Sequence, residues 1–367
     1  MIDHIIHFED MTFLPVEKIK EFGKFITTTS NLISGSNNVH VSRKYDGSPS
    51  LVSGYDSKLD TKFVATKGFF NKSPVFFTDH ESIDDYYRNH TSRNLPMILK
   101  TAFDTIEVDR PGYIQYDVMF SPIEPIKSNI IKPNIIGYQV LASVNEKLGI
   151  APHTFVYEND WFSEPPDKFA MGDVYKFPMT IEKYVVPNDK KTALHIFIKD
   201  AHNSYMTDID HDNLDDIKMW MKRYHNYKLV SNISDDDKDY IVSLTSYVDF
   251  IFDQQVNKLK TQKACDKTND IRADTINSIL DRSDDIIKIL GVHLALSFVR
   301  EKMFEVLSDY PATSAHDFIR TCDGNTDEGF VVRSFDNGLN RFGETIFKIV
   351  NREQFSAMNF QAYRNKK

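Results

Sequence analysis

Strand-like runs gather at the two ends of this chain, and a charge-rich helical stretch, residues 205–311, lies between them. That order limits what the chain can fold into. Residues 39–70 alternate apolar and polar side chains with Gly and Asp breaks, as half-buried strands do. Residues 112–119 and 135–143 read the same way, and so do 329–333 and 346–350 near the other end. Apolar spacing predicts an opening helix over 15–33 through Val16, Ile19, Phe22, Phe25 and Ile26. A second helix is expected over 82–107, interrupted near Pro96. Ser234 with Asp235–Asp237 reads as a helix start, and Ile241, Leu244, Val248, Ile251 and Leu259 line one face of the helix it opens. A further helix pair is expected over 269–308, ending before Pro311. The expected class is α+β, with residues 1–204 and 312–367 forming one domain in two parts and 205–311 inserted into it. The insertion is read as a packing cap over the sheet, with acceptor recognition or a lid as the functional alternative.

Within the first strand-like region stands Val-Ser-Arg-Lys-Tyr-Asp-Gly-Ser, residues 41–48. A lysine in this setting is a candidate covalent nucleophile. Its amine attacks only when neutral, so its pKa must be depressed by burial or by nearby cations. Arg43, Lys67 and Lys348 are the candidate cations for Lys44. Gly47 would let the backbone pass close to a bound nucleotide. Further on come Leu51–Tyr55, a strand ending in Lys67-Gly68, an acid within an apolar strand at Asp117, then Glu328-Gly329 and Phe347-Lys348-Ile349. A lone charge on a buried strand needs a partner. A shared polyphosphate and divalent cation would supply one.

This ordered set resembles the covalent nucleotidyltransferases: ATP-dependent DNA and RNA ligases and mRNA capping enzymes. The likeness is strongest to the phage T4 RNA ligase 1 type, with Lys44–Ser48, Leu51–Tyr55 and Lys67-Gly68 in that family's order. The run Phe63–Lys72 is also similar to uncharacterised ligase-like proteins of tailed phages. The resemblance covers residues 39–140 and 323–352. It implies a ligase-type fold with antiparallel sheets around a nucleotide site. It also implies ATP and Mg²⁺ as cofactors, Lys44 as the nucleophile that takes AMP, and a 5′-phosphate end of RNA or DNA as acceptor. Arg43, Asp46, Gly47 and Lys67 would contact the nucleotide. Asp117 and Glu328 would hold the ribose or the metal, and Lys348 the α-phosphate. An aromatic near Tyr138 is a candidate for the adenine slot. The chain departs from the pattern in three places. Asp117 stands where ligases usually have Glu, Val350 holds the place of a second lysine, and residues 1–43 lack the upstream Arg-Gly. Arg352 is the candidate replacement for that lysine. Two alternatives therefore stay open: a ligase-like nucleotide- or partner-binding phage protein without strand sealing, and a guanylyltransferase using the same lysine.

Composition adds boundaries. The net charge of −9 gives no overall basic surface for nucleic acid. Lys62, Lys67, Lys72, Arg88 and Arg93 nevertheless cluster in sequence and are candidates for a local basic groove. Cys265 and Cys322 form no zinc motif or disulfide framework and are expected to be reduced thiols. His153 and His195 read as ordinary strand or loop residues. No apolar run reaches the length of a membrane span, and the N-terminus lacks a secretory signal, so the expected compartment is a cytoplasm, that of a host if phage-encoded.

Overall fold

A computed structural model describes residues 6–91, 94–108, 111–134, 136–140, 143–157, 160–162, 173–177, 180–181, 184–231, 239–310, 319–321, 328–334 and 345–352. The molecule is mixed α+β and divides into two units, each assembled from three stretches of chain. The first takes Met1–His4, His40–Tyr184 and Ser308–Glu344. The second takes Ile5–Val39, Val185–Leu307 and Thr345–Lys367.

The second unit holds the opening of the chain. Strand β1 (Ile6–His7) pairs in parallel with the distant Thr345–Val350, the last strand. Helix α1 (Ile19–Ser34) follows, ended by Gly35 at φ 74°, a left-handed position that favours glycine. Phe22 and Phe25 of α1 are fully buried, and Phe25 meets Phe8 and Phe347 edge-on at 4.9 and 5.0 Å.

The first unit centres on a mostly antiparallel sheet. Strand β2 (Val39–Lys44) leads to the hairpin of β3 (Ser50–Asp56) and β4 (Thr61–Thr66). Asp56 closes the turn by accepting from the Lys58 and Leu59 backbone N–H groups at 2.8 and 3.2 Å. Helices α2 (His80–Tyr87) and α3 (Asn94–Thr105) come next, capped at α2 by Asp79. The helix break expected near Pro96 falls earlier. Pro96 sits inside the first turn of α3, where its missing N–H has no partner to lose. Strand β5 (Gly112–Phe120) lies antiparallel to β3. Short strands β6 (Ile130–Ile131) and β7 (Tyr138–Val140) form a separate small sheet, and β8 (Leu148–Tyr157) pairs with β5. Strand β9 (Asp160–Phe162) pairs with β8, β10 (Val174–Lys176) joins β8 in parallel, and β11 (Thr180–Ile181) pairs with β2. One face of the β4-β3-β5-β8-β10 sheet packs Leu51, Val64, Tyr116, Val118 and Ile150 against Ile83, Ile98 and Leu99 of the two helices.

The helical region belongs to the second unit and begins before residue 205, with α4 (Asn188–Asn203), which packs on α1. His195 bridges the two, within 3.2 and 3.4 Å of Ser30 and Ser34. Then come α5 (Asp215–Ser231), α6 (Tyr240–Val256), α7 (Gln262–Asp281) and α8 (Ser283–Ser308). The expected start at Ser234–Asp237 lies outside the described residues, and the observed cap of α6 is Asp239. Leu244 and Val248 are buried as expected, while Leu259 lies past the end of α6 and is exposed. The remaining strands are β12 (Ile319–Thr321), paired with β7, then β13 (Gly329–Ser334), next to β2, and β14 (Thr345–Val350). Among the described residues no helix is long and apolar enough to cross a membrane.

Candidate functional site

Lys44 is the last residue of β2, and Glu328 immediately precedes β13, the neighbouring strand. Their side chains form an ion pair although 284 residues separate them. The Lys44 side chain is 30% exposed and that of Glu328 is 11% exposed, so the pair is largely but not wholly screened from solvent. One Glu328 carboxylate oxygen, Oε2, is buried without a hydrogen-bond partner among the described residues.

The electrostatics of Lys44 run against the depressed pKa expected of it. Burial alone would lower the pKa of the amine. The carboxylates of Glu328, Asp117 and Asp46 outweigh burial and raise it, so Lys44 rests as an ammonium ion. Burial pushes the Glu328 carboxyl up; Lys44 pulls it back, Asp46 and Asp117 add to the rise, and the net pKa is raised. Arg43 and Lys67 do not provide the setting either. Arg43 donates to the Tyr310 carbonyl at 3.1 Å, and as the neighbour of Lys44 on one strand it takes the opposite face. Lys67 is exposed, just beyond β4. Lys348 lies in the second unit, on β14 beside His7.

Asp46 is a brace. Its carboxylate accepts from Asn134 Nδ2 at 2.8 Å and from the Ile136 backbone N–H at 3.0 Å. Its own backbone N–H donates to the Tyr138 hydroxyl at 2.7 Å. These bonds hold the turn after Lys44 to the segment leading into β7. Tyr138 is only 2% exposed and meets Tyr45 edge-on at 5.6 Å, so its own ring is core. Gly47 is small for a local reason. A Cβ there would stand 2.6 Å from the Asp117 Cβ. Ser48 N–H donates to the Val118 carbonyl and Val118 N–H to the Pro49 carbonyl, which clamps this turn on β5.

Asp117 therefore reaches the site through β5. The strand register puts Asp117 opposite Ser50, Gln115 opposite Val52, and Tyr113 opposite Gly54, all on the face away from the helices. That face was missed from the sequence, though the alternation Tyr113-Gln115-Asp117 carries its signal. It continues into the rings of Phe63, Phe69, Phe70 and Phe76.

The proposed basic groove loses two members. Lys62 donates to the Phe103 carbonyl at 2.8 Å, and Arg88 pairs with Asp85. Arg93 and Cys322 lie outside the described residues, as do the side chains of His153 and Thr154. Cys265 is a partly buried free thiol. Arg352, the candidate replacement lysine, is buried against Glu9 and Asp10.

No group of three or more His, Cys, Asp or Glu among the described residues is arranged to hold a metal by itself. Asp117 and Glu328 are the residues that would hold a Mg²⁺ ion, with water and substrate phosphates completing its oxygen shell. No curated protein and no solved structure matches the chain. The chain belongs, over residues 3–364, to a family of unknown function, DUF6267.

Proposed function

We propose that this protein is an ATP-dependent nucleotidyltransferase that forms a covalent Lys44–AMP and passes the AMP to a 5′-phosphate nucleic-acid end. The observation that carries the reading is the Lys44–Glu328 pair, two residues remote in sequence brought together at the ends of neighbouring strands with Asp117 within electrostatic reach. In the first step Lys44 must lose its ammonium proton to solvent, because only the neutral amine is a nucleophile. The freed amine attacks the α-phosphorus. The N–P bond forms, the bond to the bridging oxygen of the β-phosphate breaks, and pyrophosphate leaves with that electron pair. In the second step an oxygen of the acceptor phosphate attacks the same phosphorus, AMP moves to it, and Lys44 is released. Asp117 and Glu328 would hold a Mg²⁺ ion, which would supply charge stabilisation on the phosphates.

The test is the intact mass after incubation with each nucleoside triphosphate and Mg²⁺. One AMP should appear on Lys44, as an acid-labile, alkali-stable phosphoramidate, and Lys44→Ala should abolish it. Label on another residue, or label that persists in Lys44→Ala, sinks the reading. Labelling by GTP alone would move the protein to the guanylyltransferase class.

A second reading keeps nucleotide binding and drops strand sealing. It is favoured by Val350 in place of the second lysine, and by the burial of Arg352 in ion pairs of its own. Self-adenylylation without transfer to any 5′-phosphorylated strand would decide for it.

A further inference from the structure

The face of the first unit's sheet that carries Asp117 continues past the site into a surface of aromatic rings. Along β5, Tyr113 lies four residues from Asp117 on the same face, about 13 Å away at the rise of a strand. Gly54 makes room there: a Cβ on it would stand 2.4 Å from the Phe63 ring. Phe69 stacks on Phe63 with centroids 5.1 Å apart and planes at 16°. Phe70 and Tyr113 stand edge-on to Phe69, at 5.3 and 5.2 Å. Phe69, Phe70 and Tyr113 are only partly buried.

The charge beside these rings is positive in a chain that is acidic overall. Residues 61–78 contain Lys62, Lys67 and Lys72 and no Asp or Glu. Lys62 is committed to Phe103. Lys67 and Lys72 are exposed, on the same short turn as Phe69 and Phe70 or just beyond it, and make no ion pair among the described residues. Rings next to unpaired lysines suit a ligand with flat apolar faces on an anionic backbone. Unstacked bases on a phosphate chain have that chemistry; a duplex hides its base faces.

We propose that Phe69, Phe70 and Tyr113 form a stacking platform for the bases of a single-stranded nucleic acid, with Lys67 and Lys72 meeting its phosphates. The assignment rests on the nucleotidyl-transfer reading in one respect: the bound strand would direct its 5′ end along β5 towards Asp117 and Lys44.

The test uses the full chain and 5′-phosphorylated oligonucleotides of roughly twelve nucleotides, within the ~4–16 typical of such sites. RNA and DNA single strands and the matching duplex are compared by fluorescence anisotropy. The single strand should bind more tightly than the duplex. Phe70→Leu keeps apolar cover over Tyr113 but removes the ring, and should weaken binding about tenfold, in line with the loss of one base–aromatic stack. Lys72→Ala should lower the slope of log affinity against log salt by about 0.7. Lys44 labelling by ATP should be unchanged in both variants. Equal binding of duplex and single strand, or wild-type affinity in Phe70→Leu, overturns the platform while leaving Lys44 chemistry intact. If Phe70→Leu melts early, Lys72→Glu decides, since it alters only an exposed side chain; unchanged binding there overturns the proposal. Absence of label on wild-type Lys44 overturns the nucleotidyl-transfer reading alone, because the binding measurements do not depend on it.

Discussion

A methyl group on residue 47 would stand 2.6 Å from the Asp117 Cβ and 2.9 Å from the Met119 Sδ. Gly47→Ala must therefore push the turn off β5 or displace Asp117. Overpacking of this kind costs about 1–3 kcal/mol. The expected result is a lower urea midpoint together with slower labelling of Lys44, and a variant with wild-type stability and rate would show that the contact gives way easily. Glu328→Gln probes the neighbouring pair differently. It keeps a hydrogen-bonding partner for Lys44 but removes the carboxylate that most raises its pKa. Adenylylation should slow by at least ~10²-fold, the typical loss for one preorganised electrostatic partner. The direction of the pH profile follows from the sign of the shift. In the wild type the raised pKa keeps Lys44 protonated to higher pH, so kcat/KM climbs late as pH rises. With one carboxylate gone the amine is neutral at lower pH, and the climb should begin earlier. A profile that stays in place, or moves to higher pH, would show that Glu328 does not set the charge of Lys44. That Lys44 and Glu328 stand together was legible in the order of the motifs. The charge around them was not, because the acids that raise the Lys44 pKa come from three separate stretches of sequence.

Where β14 ends, Arg352 ties three segments of the second unit together. Its guanidinium donates to Glu9 at 3.1 Å and to Asp10 at 2.7 Å, and it also bonds to Asn226 of α5. Arg300 of α8 reaches the same Glu9 at 3.2 Å. Burial alone would raise the Asp10 pKa; Arg352 and Lys222 overrule it and hold it at about 2. Removing one partner of such a buried set leaves the other charges uncompensated. Arg352→Met should therefore destabilise the protein by about 3–5 kcal/mol. A change within the error of a denaturant titration would mean that water replaces the guanidinium. Three histidines share this setting. Burial, with Lys348 and Arg352, lowers His7 to about 2. Burial, His293 and Lys228 lower His225, and burial with Arg352 lowers His293 against the opposing pull of Glu9 and Asp10. Histidines kept neutral in the fold bind protons only when it opens. Their stabilising contribution is complete above the unfolded pKa near 6.5 and is lost as pH falls below it, at up to about 1.4 kcal/mol per pH unit for each. Melting temperature should accordingly fall from pH 7 to pH 5, and less steeply in His293→Gln. Helices α1 and α6 were readable from apolar spacing, since one helix face repeats locally. The Arg352 cluster was not readable. Glu9 and Asp10 look like an ordinary polar turn until a residue 343 positions away is folded onto them.

The chain passes between its two units at residues 4–5, 39–40, 184–185, 307–308 and 344–345. Read from the sequence, residues 205–311 are an insertion that a short linker could replace. The packing of the second unit gives such a replacement a definite consequence. It would remove Tyr205, whose ring lies 4.0 Å from that of Phe22, and His293, whose ring lies 4.9 Å from that of Phe13. It would also remove Arg300 from Glu9, and Lys218, which donates to the Leu14 carbonyl at 3.1 Å. What remains of the unit would be α1, α4 and the β1–β14 pair, with Phe13 and Phe22 stripped of these neighbours and Glu9 short of one cation. Exposed aromatic surface of that kind drives association. The shortened protein should therefore aggregate, or lose the cooperative thermal transition of the full chain. A narrower deletion discriminates. Replacing only residues 257–282, which span α7, exposes the inner side of α6 but leaves Tyr205, Lys218, His293 and Arg300 in place. It should stay soluble with a lowered melting temperature. Both proteins would be followed by differential scanning calorimetry and size-exclusion chromatography. A soluble monomer from the 205–311 replacement, melting as the wild type does, would mean that α5–α8 are dispensable to the unit and that the Tyr205, Lys218, His293 and Arg300 contacts do not hold it together.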